Sequence, residues 1–231
     1  MKILALSDNF LSIERFRPLL ERVIPDVLVL AGDYDEGFIP TYHEMKSYQQ
    51  SIEDRLLEFL KYAGQITNVV LVRGNHEEAG LSAHKYYNEK RINNISGCRE
   101  ISGRSVSLFG TVFLGINYLL TEKNRSLFPI IDRYDSHRKI DVIVTHCDIS
   151  KLPHIAKLKP TIIIRGHASA YGGPPRYLVN SIPVISTGAA EYSIIDLSGQ
   201  SIRVRQRRRD SSTAIQQWFS KHSRWWLSPW T

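Results

Sequence analysis

Three apolar runs in the first third of the chain constrain its fold more than any other feature. Residues 1–7, 26–31 and 68–72 each have the pattern of a strand, and the last two are apolar enough to be buried on both faces. Residues 11–23 lie between the first two runs and have apolar side chains at helical spacing. The same spacing recurs before the third run, at Met45, Tyr48, Ile52, Leu56 and Leu60. This strand–helix alternation predicts a parallel sheet covered by helices.

The rest of the chain is richer in strand patterns. Residues 105–118 predict a hairpin or a pair of strands, and residues 140–145 and 161–165 predict two more buried strands. Residues 177–204 contain several β-rich runs that predict antiparallel strands. The fold class expected from these patterns is α/β, with both parallel and antiparallel strands.

Composition limits the class of protein. The chain has 231 residues, of which 42% are hydrophobic and 23% are charged, as expected for one large globular domain. It begins directly with a strand pattern rather than a signal peptide, and no apolar run reaches the roughly 18 residues of a membrane span. Only two cysteines occur, Cys98 and Cys147, which argues against a disulfide framework. We therefore expect a cytoplasmic protein.

The positive charge is concentrated near the C-terminus. The net charge is +7, and residues 203–231 contain seven basic residues against the single acidic Asp210. The other 202 residues therefore carry only about +1 by subtraction. This shift predicts two regions, a main domain over residues 1–202 and a basic, tryptophan-rich extension over residues 203–231.

The extension supports two interpretations. The residues from Arg203 to Arg209 first alternate like the exposed face of an edge strand and then become a continuous run of charge. The aromatic segment after them has helical spacing at Ile215, Trp218, Phe219, His222 and Trp226. One interpretation is a terminal helix that packs on its own domain or on a second copy, forming a homo-oligomer. The other is a contact with nucleic acid or an anionic surface through Arg203–Arg209.

Polar residues follow five of the predicted strands, at the point where each strand ends. They are Asp8, Asp33, Asn75 with His76, His146 and His167. Ligands of open α/β sheets bind just outside the carboxyl ends of the strands, so these side chains are expected to converge. A mixed set of carboxylate, amide and imidazole donors suits manganese, iron or zinc better than calcium.

The order of these motifs resembles that of the calcineurin-like metallophosphoesterases. The matching segments are Asp8-Asn9-Phe10, Gly32-Asp33, Gly74-Asn75-His76-Glu77, His146 and Gly166-His167. The resemblance implies a four-layer α/β/β/α sandwich with two mixed β-sheets. It also implies metal-dependent hydrolysis of phosphomonoesters or phosphodiesters with one or two divalent ions, for which we expect manganese or iron, with zinc as a further candidate.

The resemblance also implies a role for each residue. Asp33 would bridge two metals, and Asp8 would belong to the first metal. The second metal would be completed by Asn75, His146 and His167. His76 would contact the scissile phosphate and protonate the leaving oxygen, a task that suits an imidazole with a pKa near neutral.

Two positions depart from the family pattern. Phe10 stands where the family has the histidine of Asp-x-His, and Ser169 stands where it has the second histidine of Gly-His-x-His. Both missing histidines belong to the first metal, so the sequence predicts a weakened first site in a mononuclear or loosely dinuclear enzyme. The alternative is a catalytically inactive binding scaffold. In a third interpretation another residue replaces a ligand, with Asp35, Glu36, His43 and His84 as candidates.

Overall fold

Two six-stranded sheets form the frame of the part of the chain that the structure describes. The computed structural model describes residues 1–8, 13–34, 45–74, 77, 89–116, 139–146, 155–167, 176–188, 192–198 and 201–207, and the side chains of 45–52 and 156 are not included. The helices in these ranges are α1 Arg17–Val23, α2 Met45–Ile66, α3 Glu89–Asn93 and α4 Ile155–Leu158, and a 3-10 turn at Ile13–Phe16 precedes α1.

The first sheet has a parallel centre and an antiparallel edge. Its strands are β1 Lys2–Leu6, β2 Val27–Ala31, β3 Asn68–Val72, β4 Cys98–Glu100, β11 Tyr192–Ser198 and β12 Ser201–Arg207. Their order is β12-β11-β1-β2-β3-β4. Strands β1 to β4 are parallel to one another, whereas β11 is antiparallel to both β1 and β12.

The second sheet is also mixed. Its strands are β5 Ser105–Leu108, β6 Thr111–Ile116, β7 Val142–Thr145, β8 Ile162–Arg165, β9 Arg176–Val179 and β10 Ile182–Ser186. Their order is β5-β6-β7-β8-β10-β9, with parallel pairing from β6 to β10 and an antiparallel strand at each edge.

Alternate residues of the central strands belong to different cores. In β1, Ile3 and Ala5 pack in the core between the two sheets, whereas Leu4 and Leu6 pack under α1 and α2. The outer face of the second sheet packs against Ile155 of α4. Helix, sheet, sheet and helix therefore form four layers, which confirms the predicted sandwich. Continuous Val, Ile and Leu runs suit these strands because both of their faces are buried.

The sequence predicted most of the larger elements but missed several short ones. The helix expected over residues 11–23 is a 3-10 turn followed by α1, and the hairpin expected over 105–118 is β5 and β6. Neither β4 nor the short helices α3 and α4 were predicted. With three to five residues each, these elements are too short to give a periodic signal. No helix in the described ranges is both long enough and apolar enough to cross a membrane.

The arginines at the start of the basic extension lie on a strand. Burial alternates along β12, and Arg203, Arg205 and Arg207 are exposed, which confirms the predicted edge-strand pattern. The expected boundary between residues 202 and 203 falls inside this strand. Residues 208–231 lie outside the described part of the chain, so the two-region division and the role of the aromatic segment stay predictions.

Candidate metal centre

Four of the predicted site residues meet where strands of both sheets end. Asp8 and Asp33 follow β1 and β2 in the first sheet, and His146 and His167 follow β7 and β8 in the second. Each residue offers one ligand atom, and these atoms all lie within 4.8 Å of one another. The two sheets therefore bring together residues that are up to 159 positions apart in the chain.

Three of these four residues adopt an uncommon backbone conformation. The φ angles of Asp8, Asp33 and His167 are 52°, 52° and 51°. This left-handed region is unfavourable for residues other than glycine and costs on the order of 1 kcal/mol at each position. Strain repeated after three separate strands is typical of a functional site that the surrounding packing holds in place.

The glycines next to the candidate ligands allow close packing around them. A Cβ atom at Gly74 would overlap the carboxylate of Asp33, and one at Gly166 would overlap the Ser7 hydroxyl and the ring of His146. Any larger residue would therefore push the cluster apart. This close packing explains why glycine is the first residue of the Gly-Asn-His and Gly-His motifs.

His146 lies at the centre of the cluster. Its side chain is fully buried, and its Nδ1 atom is 2.8 Å from the carbonyl oxygen of Ala31, so Nδ1–H donates to that carbonyl. Its Nε2 atom is 3.1 Å from Asp33 Oδ2 and 3.1 Å from His167 Nδ1. Burial lowers the pKa of His146, but the charges of Asp33 and Asp8 outweigh burial and raise it to about 9. The two buried carboxylates thus favour a positive charge at this point, either a proton on His146 or a metal ion in its place.

Asp8 holds the second histidine in position. The backbone N–H of His167 donates to Asp8 Oδ2 at 2.8 Å, and the Ser7 hydroxyl donates to the same oxygen. The two imidazole rings meet edge to face, with their centroids 5.0 Å apart. Burial lowers the pKa of His167, and the neighbouring charge of His146 lowers it further. A lowered pKa favours the neutral form of His167, which is the form that metal coordination requires.

Glu77 connects the loops that follow β2 and β3. Its carboxylate accepts hydrogen bonds from the backbone N–H groups of Gly74, Asp33 and Tyr34, at 2.7, 2.9 and 3.0 Å. Burial and the charge of Asp33 raise the pKa of Glu77 to about 7, although the three N–H groups act in the opposite direction. From the sequence we assigned no role to Glu77. The signal that could have identified it is its place at the end of Gly-Asn-His-Glu.

The donor set fits a divalent metal ion. Asp8 and Asp33 are each 2% exposed, so two carboxylates are buried together and need a compensating positive charge. Two imidazole nitrogens lie beside them, and mixed oxygen and nitrogen donors suit manganese, iron or zinc. The hydrogen bond from His146 Nδ1 to a backbone carbonyl is the kind of support that orients a metal-binding histidine.

The remaining predicted site residues lie outside the described part of the chain. They are Asn75, His76, Phe10, Ser169, Asp35, Glu36, His43 and His84. The roles predicted for them, and the assignment of the four clustered residues as ligands, stay predictions.

Comparisons with known proteins agree with this architecture. The sequence model of the calcineurin-like phosphoesterase family matches residues 1–177. No curated protein matches the sequence. One solved crystal structure aligns with a TM-score of 0.61 at 15% identity, covering 89% of this chain and 98% of the other, and this likeness shows the fold alone. YfcE, a phosphoesterase from E. coli, aligns with a TM-score of 0.41 at 16% identity, covering 90% of this chain and 99% of its own.

Proposed function

We propose that this chain, which belongs to the calcineurin-like phosphoesterase family, is a metal-dependent hydrolase of phosphomonoesters or phosphodiesters. The observation that carries the proposal is the cluster of the buried Asp8, Asp33 and His146 with the half-buried His167 at the strand ends. A divalent ion bound there would supply Lewis acidity toward a phosphoryl oxygen and lower the pKa of a water molecule.

The protein's own groups would prepare this site in three ways. Asp33 and His146 provide adjacent oxygen and nitrogen donors 3.1 Å apart, and the Ala31 carbonyl fixes which nitrogen of His146 faces the cluster. Glu77 holds the backbone of Asp33 and of Gly74, the residue directly before Asn75. His76 would then donate a proton to the departing oxygen. Its position directly after a ligand would place it at the site without making it a ligand.

We further propose that the site binds one ion more tightly than the other. Asp33, Asn75, His146 and His167 would hold the tight ion, and occupancy beside Asp8 would be lower. The reason is chemical, since neither Phe10 nor Ser169 can supply the imidazole that the family uses at those positions. Manganese and iron are the metals we expect, with zinc as a further candidate.

The alternative is a binding scaffold that keeps the fold but does not catalyse. The replacement of two ligands by Phe10 and Ser169 favours it. The retention of His76 favours the enzyme, since a scaffold has no evident need for an acid beside the metal. These two functions differ in one measurable respect, which is turnover in the presence of metal.

A generic phosphoesterase assay tests the proposal. Purified protein is loaded with Mn²⁺ and given p-nitrophenyl phosphate and bis-p-nitrophenyl phosphate, one a monoester and the other a diester. We expect turnover of at least one substrate that EDTA abolishes and that added Mn²⁺ restores. Metal binding without turnover of either ester would support the scaffold instead.

A further inference from the structure

A positively charged cleft lies on the outer face of the first sheet, away from the core between the two sheets. It is a cleft of about 190 Å³ between α1 with its preceding turn and the β11–β12 edge. Arg15, Arg22, Arg207 and Tyr192 line it together with apolar residues, and none of the described lining residues is acidic. Three arginines around so small a volume indicate a site for an anionic group.

Strand register shows where this cleft lies. Tyr192 pairs with Arg207, and the next residue, Ser193, pairs with Ala5 of β1. The cleft is therefore at the carboxyl end of β1, the end from which the chain continues to Asp8. An anion bound in the cleft would lie on the same edge of the sheet as the candidate metal centre.

A row of arginines extends from the cleft along the edge strand. Ile202 and Val204 of β12 pack into the core between the sheets, so Arg203, Arg205 and Arg207 lie on the opposite, exposed face. Alternate residues of a strand are about 6.8 Å apart, so the three side chains form a regular row. We call Arg15, Arg22, Arg203, Arg205 and Arg207 the arginine track.

An acidic side chain, Asp196, lies beside the arginines of the track on β12. Asp196 pairs in register with Arg203, and its Oδ2 atom is 3.9 Å from the guanidinium of Arg205. Arg205 is exposed and Asp196 is half-buried, so this ion pair is weak. Arg15 lies over the ring of Phe16 at 4.6 Å, which orients its guanidinium. A guanidinium carries five N–H donors, so an arginine that contacts the protein can bind a phosphate as well.

We propose that the arginine track binds the phosphodiester backbone of a nucleic acid and leads one strand toward the metal centre. A row of regularly spaced arginines matches the repeating phosphates of a linear polyanion, and guanidinium groups bind phosphate through paired N–H donors. The cleft is smaller than the roughly 300–1,000 Å³ of typical small-molecule sites, so it suits one group of a longer chain. Tyr192 supplies an aromatic surface there for a base.

The inference that this nucleic acid is also the substrate rests on the proposed hydrolase function, but the binding itself does not. Binding can therefore be measured in EDTA, where no turnover occurs. The probe is a fluorescein-labelled 20-nucleotide oligo-dT, and its anisotropy is followed at several salt concentrations with the full chain.

Two double variants make the comparison specific. Arg22→Gln/Arg207→Gln removes two charges from the track, and Arg99→Gln/Arg104→Gln removes two from exposed positions on β4 and between β4 and β5. Both lower the net charge by the same amount and keep residues 208–231. We expect the track variant to weaken binding at least tenfold and the control variant less than twofold. The slope of log affinity against log salt should fall by about 0.7 for each phosphate that the variant no longer neutralises.

Three results would overturn the proposal. The first is equal loss of affinity in both double variants, which would mean that binding follows net charge alone. The second is no binding of the oligonucleotide by the parent protein. The third is track-dependent binding to phosphatidylserine vesicles but not to DNA, which would assign the track to a membrane surface. If DNA binding follows the track while both generic esters remain uncleaved, the hydrolase proposal fails and the binding proposal stands.

Discussion

The two sides of the candidate metal centre are built differently. On the side of Asp33, the buried His146 contacts a carboxylate, an imidazole and a backbone carbonyl, and Glu77 fixes the loop backbone. On the side of Asp8, the carboxylate accepts hydrogen bonds from the Ser7 hydroxyl and the His167 backbone. One side therefore concentrates donor atoms, and the other uses its carboxylate to join two loops.

This difference suggests how a metal site can lose one ion and keep its shape. Asp8 supports the position of His167 through a backbone hydrogen bond, so its carboxylate has a structural task that does not depend on a metal of its own. The first metal lacks two expected ligands, because Phe10 and Ser169 stand at their positions. This loss would then weaken the binding of the first ion without disrupting the site of the second. Four substitutions test this division between metal binding on the Asp33 side and loop support by Asp8.

The largest effect is expected for His146→Ala. The substitution removes a central donor, so bound metal and activity should disappear together, with a rate loss of at least about 10³-fold. Elemental analysis and the phosphoesterase assay measure the two losses. Ile164→Ala is the control, because Ile164 is equally buried in β8 but has no donor atom. It should lose about 2–5 kcal/mol of stability and keep its metal.

His76→Ala should separate chemistry from metal binding. We expect the rate to fall by roughly 10²–10⁴-fold while metal content changes little, because His76 would act as an acid rather than as a ligand. The ratio of rate to bound metal is the relevant measurement. A variant that turns over within about threefold of the parent would show that another group protonates the leaving oxygen.

Glu77→Gln tests the support on the Asp33 side. Three backbone N–H groups point at this carboxylate, and an amide presents one acceptor oxygen and an unwanted donor in its place. Groups that orient ligands typically contribute 10- to 100-fold to metal affinity, so a loss of that size is expected in a Mn²⁺ titration. Unchanged affinity in a folded variant would mean that the loops hold Asp33 without Glu77.

Asp8→Asn should have the smallest effect of the four. An asparagine oxygen can still accept the hydrogen bonds from Ser7 and from the His167 backbone, so the loops should stay joined. The affinity for the tight ion should fall about tenfold, which is the lower end for a group that supports a ligand. Asp33→Asn is the matched comparison and should lower the same affinity by more than about 100-fold. Equal losses in the two variants would contradict the difference between the two sides.

Much of this arrangement could be predicted from sequence, because it depends on local signals. Continuous apolar runs predicted the central strands, and polar residues directly after them predicted which side chains would meet. The structure brings Asp8, Asp33, His146 and His167 together, while Asn75 and His76, expected at the same place, lie outside the described residues. Glycine neighbours carried part of the same signal, since Gly74 and Gly166 permit contacts that a Cβ would block.

Other features could not be predicted because they depend on contacts between distant segments. The hydrogen bond between the Asp33 backbone and Glu77 joins residues 44 positions apart, and such a contact produces no periodic pattern in the sequence. The same holds for the cleft, which joins Arg15 and Arg22 in one part of the chain to Arg207 in another. The sequence identified Arg203–Arg209 as a basic run, but only the fold shows that Arg207 lines the same cleft as Arg15 and Arg22.

Metal stoichiometry tests the central claim most directly. Apoprotein is titrated with Mn²⁺, and the number and affinity of bound ions are measured by calorimetry together with elemental analysis. We predict one tight ion per chain that is lost in His146→Ala, and a second ion that is at least tenfold weaker or absent. Two ions bound with equal affinity by the parent protein would contradict the proposed difference between the Asp33 and Asp8 sides.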